Sequence, residues 1–121
     1  MISKTSQIAV SVAVLILAHG AIACEYPARV KDLPDGNSAS QEDMLAAQKL
    51  VKAYVTDMEA YLECIKADEA LALTALSDAD EEAKQQRAAM FDKKHNAAVE
   101  EMNLVAEEFN VQVRAFKERN K

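Results

Sequence analysis

The sequence predicts an all-α fold: an antiparallel, coiled-coil-like two-helix hairpin preceded by an extended N-terminal arm. Three observations point there. From Gln41 to Lys121 the chain contains neither glycine nor proline. Inside that stretch Met44, Ala47, Val51, Tyr54, Met58, Tyr61 and Ile65 recur at alternating steps of three and four. So do Phe91, His95, Ala98, Met102, Val105, Phe109, Gln112 and Phe116. Such spacing is the a/d seam of paired helices. The third observation is that the two seams match as a hairpin requires. Ile65 with Phe91, Tyr61 with His95, Met58 with Ala98, Tyr54 with Met102, Val51 with Val105, Ala47 with Phe109 and Met44 with Gln112 share one sum of position numbers, centred on Asp78. Small residues face large ones, Ala47 opposite Phe109 and Ala98 opposite Met58, as interdigitating layers need. The competing architecture is one continuous helix, because no glycine or proline breaks the chain near Asp78.

In chain order, residues 1–23 read as a secretory signal. Lys4 gives the positive start, Ile8 to Ala18 is an uncharged apolar run, and Ala21-Ile22-Ala23 is a small-x-small cleavage site. That run is shorter than the roughly 20 residues a bilayer span needs. Residues 24–39 form the arm, which holds both prolines and the one glycine after the signal. Pro27 and Pro34 favour extended backbone, and Pro34-Asp35-Gly36 is a turn signal. Residues 40–121 form the hairpin, with helices over about 40–76 and 79–119. Ser38 with Gln41 fits a capping box, Ser40 precedes acidic Glu42 and Asp43, and Asp78 with Glu81 offers a similar start to the second helix.

The chain carries 20 acidic and 14 basic residues, and loss of Lys4 with the signal would leave it more acidic still. This balance disfavours nucleic acid and anionic lipid as partners. The one basic cluster, Arg114, Lys117, Arg119 and Lys121, complements a helix C-terminus.

Both cysteines, Cys24 and Cys64, follow the signal, and in an oxidising compartment a disulfide between them is expected. Cys64 lies about 36 Å along the helix from Ser40. The arm extends to about 50 Å, so it reaches by running back along the first helix. The alternative is a lipid-anchored envelope protein with Cys24 as its modified first residue. Against it, Ala21 stands where a large aliphatic residue is usual.

The arm stretch Cys24-Glu25-Tyr26-Pro27 and Leu33-Pro34-Asp35-Gly36, together with Tyr61-Leu62-Glu63-Cys64-Ile65 and Asn96 to Met102, resembles small secreted, uncharacterised helical-hairpin proteins of Gram-negative bacteria. The similarity runs through nearly all of the chain after the signal. It implies export and a helical fold, and it brings no activity with it.

Little in the chain is equipped for chemistry. His95 is the single histidine after the signal, opposite Tyr61 and one turn from Asp92. A metal would need further converging ligands, for which Asp57 and Cys64 are the neighbours on offer. A buried or half-exposed histidine hydrogen-bonded to a phenol is the expectation. There is no Cys-x-x-Cys-His, no glycine-rich loop and no spare cysteine nucleophile. The chain therefore reads as non-enzymatic and without a cofactor, with a small-ligand or metal-binding bundle as a further alternative.

Asn96, Asn103 and Asn110 repeat every seven residues, continued by Lys117. Asparagine is a mediocre helix former, so the row is a candidate partner face. Val55, Leu62, Val99, Leu104, Ala106 and Val113 widen the apolar stripe beyond a two-stranded seam. Such a hairpin is expected to bury the surplus under its arm, in a homodimer or against an envelope protein. The function these readings imply is a periplasmic or secreted interaction or adaptor module.

Overall fold

The computed structural model describes residues 23–76 and 80–121. The expected signal (apart from Ala23) and the expected turn at Asp78 lie outside the described residues. Two helices build the fold, α1 (Gln41–Ala75) and α2 (Glu81–Arg119), each within a residue or two of its expected ends. Among the described residues there is no strand.

The first helix starts where sequence chemistry offers two choices, and Ser40 takes the cap. Its hydroxyl accepts the Asp43 N–H at 3.1 Å, and the Asp43 carboxylate accepts the Ser40 N–H at 3.1 Å. Two helix-end donors are satisfied reciprocally, with aspartate in the place of the usual Glu or Gln. Ser38 belongs instead to the preceding turn, where its N–H and that of Ala39 both donate to the Asp35 carbonyl, at 3.0 and 2.7 Å. The second helix begins after Asp80, whose side chain makes no cap bond, with acidic Glu81 and Glu82 in the first turn and Lys117 and Arg119 in the last. This charge placement suits the helix dipole.

The helices pair antiparallel, as a hairpin. Near the turn, Arg87 Nε of α2 lies 3.0 Å from Glu69 Oε2 of α1. At the opposite end, Arg119 donates to the carbonyls of Asn37 and Ala39, at 3.1 and 2.6 Å, just ahead of α1. All seven expected seam residues of α1 are buried, and Leu62 joins them. On α2, Ala98, Val105 and Phe109 are buried, while Phe91, His95, Met102, Gln112 and Phe116 are half-buried. Met58 and Ala98, the large-small pair read from the sequence, both have 0% exposure.

Burial is concentrated toward the base of the hairpin, where the chain termini of α1 and α2 meet the arm. No residue from Lys66 to Ala75 or from Glu81 to Ala97 is fully buried. Among the described residues, the base is a three-element core and the tip is a bare helix pair.

Two predictions follow from this core and cap. Tyr54 is 3% exposed, and its hydroxyl has no hydrogen-bond partner among the described residues. Burial, and secondarily Tyr26 and Glu101, push its ionisation up. A buried, unbonded hydroxyl destabilises, so Tyr54→Phe should raise stability by about 1 kcal/mol in urea unfolding. A fall would show that the hydroxyl is bonded. The second concerns acid. The Ser40 hydroxyl and then its backbone N–H hold Asp43 below the ordinary aspartate range, and the Asn37 backbone and side chain do the same for Asp35. Lowered folded values mean that this stabilisation is complete above about pH 4 and is lost as pH falls through them. The unfolding midpoint should hold steady down to about pH 4 and then drop, and Asp43→Asn should blunt the drop.

Candidate functional site

The arm is the element that distinguishes this hairpin from a plain helix pair, and its attachments define the candidate surfaces. Cys24 is bonded to Cys64, with Cα atoms 5.7 Å apart. The arm thus starts at mid-α1 and runs back toward the base, as its length allows. Tyr26 sets its ring edge-on to Tyr61 at 4.9 Å between centroids. Val30 and Leu33 pack on the core. Asp32 makes the bend between them with φ 56°, a left-handed conformation that aspartate tolerates better than most residues.

Three polar contacts tie the arm to α2. Arg29 forks between Glu101 and Glu108, one heptad apart on that helix, with Nη2 at 2.7 and 2.8 Å from the two Glu108 oxygens. The two carboxylates raise the guanidinium's affinity for its proton. All three side chains are partly exposed, so water competes with the pairing and it acts chiefly to set the arm's register. Gly36 donates its N–H to Gln112 Oε1 at 2.9 Å. A Cβ on Gly36 would sit 2.0 Å from the Gln112 carbonyl oxygen, so glycine is demanded here by close approach of two backbones. Arg119 completes the clamp at the base.

The sequence-expected site residues fall into distinct places. Cys24 and Cys64 meet. A lipid thioether and the disulfide compete for the same Cys24 sulfur, so one molecule carries one or the other. Asp68 Oδ2 lies 3.2 Å from Cys24 Sγ, a packing contact, since the bonded sulfur has no proton to donate. Among the described residues, Cys24, Cys64 and Asp68 are the one set of three groups close enough to share a metal ion, and the disulfide occupies both sulfurs. His95 is outside that set: its ring packs on Phe91 at 5.7 Å. Tyr61, expected opposite His95, is covered instead by Tyr26 and by the Lys94 ammonium, 5.8 Å from its ring centroid.

Asn96, Asn103 and Asn110 share the exposed face of α2, away from the seam. Asn110 bonds Glu107, whose carboxyl is held below its ordinary range first by Arg114 and lastly by Asn110. Beside this row runs a second one that sequence reasoning passed over: Met90, Ala97, Leu104 and Val111, all exposed and again seven apart. The spacing was there to be read, but attention to the seam hides a repeat on the outer face. Of the apolar residues expected to widen the seam, Leu62 is buried, Val55, Val99, Ala106 and Val113 are half-buried, and Leu104 faces solvent.

The tip holds a further hollow of about 520 Å³, lined by Ile65, Asp68, Glu69, Arg87, Met90 and Phe91 among others. Among the described residues the arm reaches it only at Cys24, whose Sγ lies against Asp68. One carboxylate oxygen of Glu69, Oε1, is buried there without a partner among the described residues. No described helix is long and apolar enough to cross a membrane.

These features define a class: a disulfide-pinned, arm-covered helical hairpin. No protein-family model, curated protein or solved structure matches the chain.

The disulfide closes a loop across a sequence separation of 40, for which chain entropy gives about 4 kcal/mol. Reduction, or Cys24→Ser with Cys64→Ser, should lower unfolding stability by about that amount and expose Tyr26 and Val30 to hydrogen exchange or proteolysis. An unchanged midpoint would mean that the arm is held by its α2 contacts alone.

Proposed function

We propose that the chain is a non-enzymatic, exported helical protein, periplasmic or secreted, that serves as an interaction or adaptor module for an envelope partner. The observation that carries this reading is the outer face of α2. There the amide row Asn96, Asn103 and Asn110 runs beside the apolar row Met90, Ala97, Leu104 and Val111, and neither row is used to hold the hairpin together. Apolar side chains at seven-residue spacing, flanked by hydrogen-bonding amides, suit a partner that offers an amphipathic helix. The intramolecular disulfide supports passage through an oxidising compartment, as do the sequence features of residues 1–23. The resemblance to small secreted helical proteins of Gram-negative bacteria points the same way.

A clamped arm also suits an adaptor. Four arm contacts, the bond to Cys64, the Arg29 fork, the Gly36 amide and the Arg119 guanidinium, fix α2's orientation before a partner arrives. A preset face loses less entropy on binding.

The test is capture from envelope extract with a photo-crosslinker beside Leu104. Replacing Asn96, Asn103 and Asn110 with alanine, or Leu104 with glutamate, should reduce recovery of the crosslinked partner at least tenfold while helicity is unchanged. Equal recovery from all variants, or a gain in melting temperature as the sole effect, would remove the face from consideration. Mass spectrometry of the exported protein checks the anchoring alternative, because a lipid-modified Cys24 leaves Cys64 as a free thiol.

A further inference from the structure

The tip of the hairpin is built differently from its base, and the difference has a direction. At the base three elements share a core. Beyond Cys64 the described arm reaches no further than Cys24 against Asp68, and the two helices continue from Lys66 to Ala75 and from Glu81 to Met90 with no fully buried residue. This bare stretch carries the two most exposed large apolar side chains described, Leu71 at 70% and Met90 at 72%. Their solvent contact is unfavourable, and an isolated helix pair has too little interior to offset it.

The charges along the tip hollow are divided by helix. Its α1 wall presents Asp68 and Glu69, and its α2 wall presents Arg87 and Lys94. A wall that is acidic on one helix and basic on the other is complementary to itself once turned over. We propose that the tip is a homodimer contact, in which a second copy of this chain packs tip against tip in antiparallel fashion about a two-fold axis. In such an isologous contact each pairing occurs twice. The α1 wall of one copy lies on the α2 wall of the other, with Leu71 against the partner copy's Met90.

The helical spacing makes a second pairing coincide with the first. Asp68 is one turn from Leu71 in the direction of the base, and Arg87 is one turn from Met90 in the direction of the turn. In an antiparallel pair these steps coincide, so Asp68 meets the partner copy's Arg87. That guanidinium already bonds its own Glu69 through Nε, leaving its outer nitrogens for a second carboxylate. Glu69 Oε1, which has no partner among the described residues, lies in the same hollow. The resulting Glu69, Arg87 and Asp68 chain would link both copies.

Each tip face measures about 15 Å by 20 Å, from helix rise and diameter, so the dimer buries about 600 Å² in total. That is below the roughly 1,000 Å² of a stable specific contact, and the dimer is therefore weak and concentration-dependent, with dissociation in the high micromolar range or above. The contact takes Met90 from the end of the outer row and leaves Ala97, Leu104 and Val111 free, so the dimer is a bivalent version of the proposed adaptor, and Leu104 tells the two apart.

The disulfide-intact protein should be followed by sedimentation velocity over a micromolar-to-millimolar concentration series. A monomer-to-dimer shift is expected. Leu71→Glu or Met90→Glu should weaken it at least tenfold, Asp68→Arg should weaken it likewise, and Leu104→Glu should leave it unchanged. Circular dichroism of each variant guards against loss of fold, to which exposed positions are little sensitive. A wild-type protein that stays monomeric throughout overturns the proposal. So does a dimer indifferent to Leu71 and Met90, or one abolished by Leu104→Glu. Capture of another envelope protein through a crosslinker at Met90, with the isolated chain monomeric, also overturns it.

Discussion

Covalent attachment of the arm to the middle of α1 governs the rest of this molecule. Two helices alone enclose one seam and leave both flanking grooves open to water, an arrangement with a poor ratio of interior to surface. The arm closes one of those grooves, and the Cys24–Cys64 bond decides how far the closure extends. Below it, Tyr54, Met58, Tyr61 and Val105 are shielded. Above it, among the described residues, the helices have only each other. The division into a packed base and an open tip is therefore a consequence of where one cysteine sits along a helix.

The polar contacts of the arm divide into those that fix position and those that add strength. Arg29 with Glu101 and Glu108 is partly exposed, and water competes for every one of its bonds. Its value is geometric, since two carboxylates a heptad apart accept a fork in one place along α2. Gly36 against Gln112 is the stricter device. Any larger residue would push the turn off the helix backbone, and the Gln112 side chain, polar at a seam position, is there to receive the freed amide.

Much of this could be read from the residues in order. The helices, their pairing direction and the buried face of α1 follow from spacing alone, because a period of three and four is a local property of the chain. The disulfide followed from counting cysteines and measuring reach. What spacing could not give was the docking of the arm, which has no period. Arg29, Asp32 and Gly36 read as loop residues until α2 is placed beneath them. Gln112 looked like a weak seam residue and is an acceptor for the arm, while Tyr61 looked like a partner for His95 and meets Tyr26. The start of α1 was ambiguous between Ser38 and Ser40 because both hydroxyls precede acidic or amide residues. The Asp35 turn resolved it by claiming Ser38. On the outer face, the asparagine row stood out because asparagine is unusual in a helix, whereas the neighbouring Met90 to Val111 row was hidden among ordinary apolar residues.

The order of these attachments along the chain has a consequence for biogenesis. Polypeptides are made and threaded from the N-terminus onward. Cys24 and Cys64 both precede α2 in the sequence, while Glu101, Glu108, Gln112 and Arg119 come in the last fifth or so. Where an oxidant meets the emerging chain, the covalent ring can therefore close before α2 is complete. α2 would then fold onto a template whose strap is already fastened, and its final residues, Arg119 among them, bond the segment just ahead of α1.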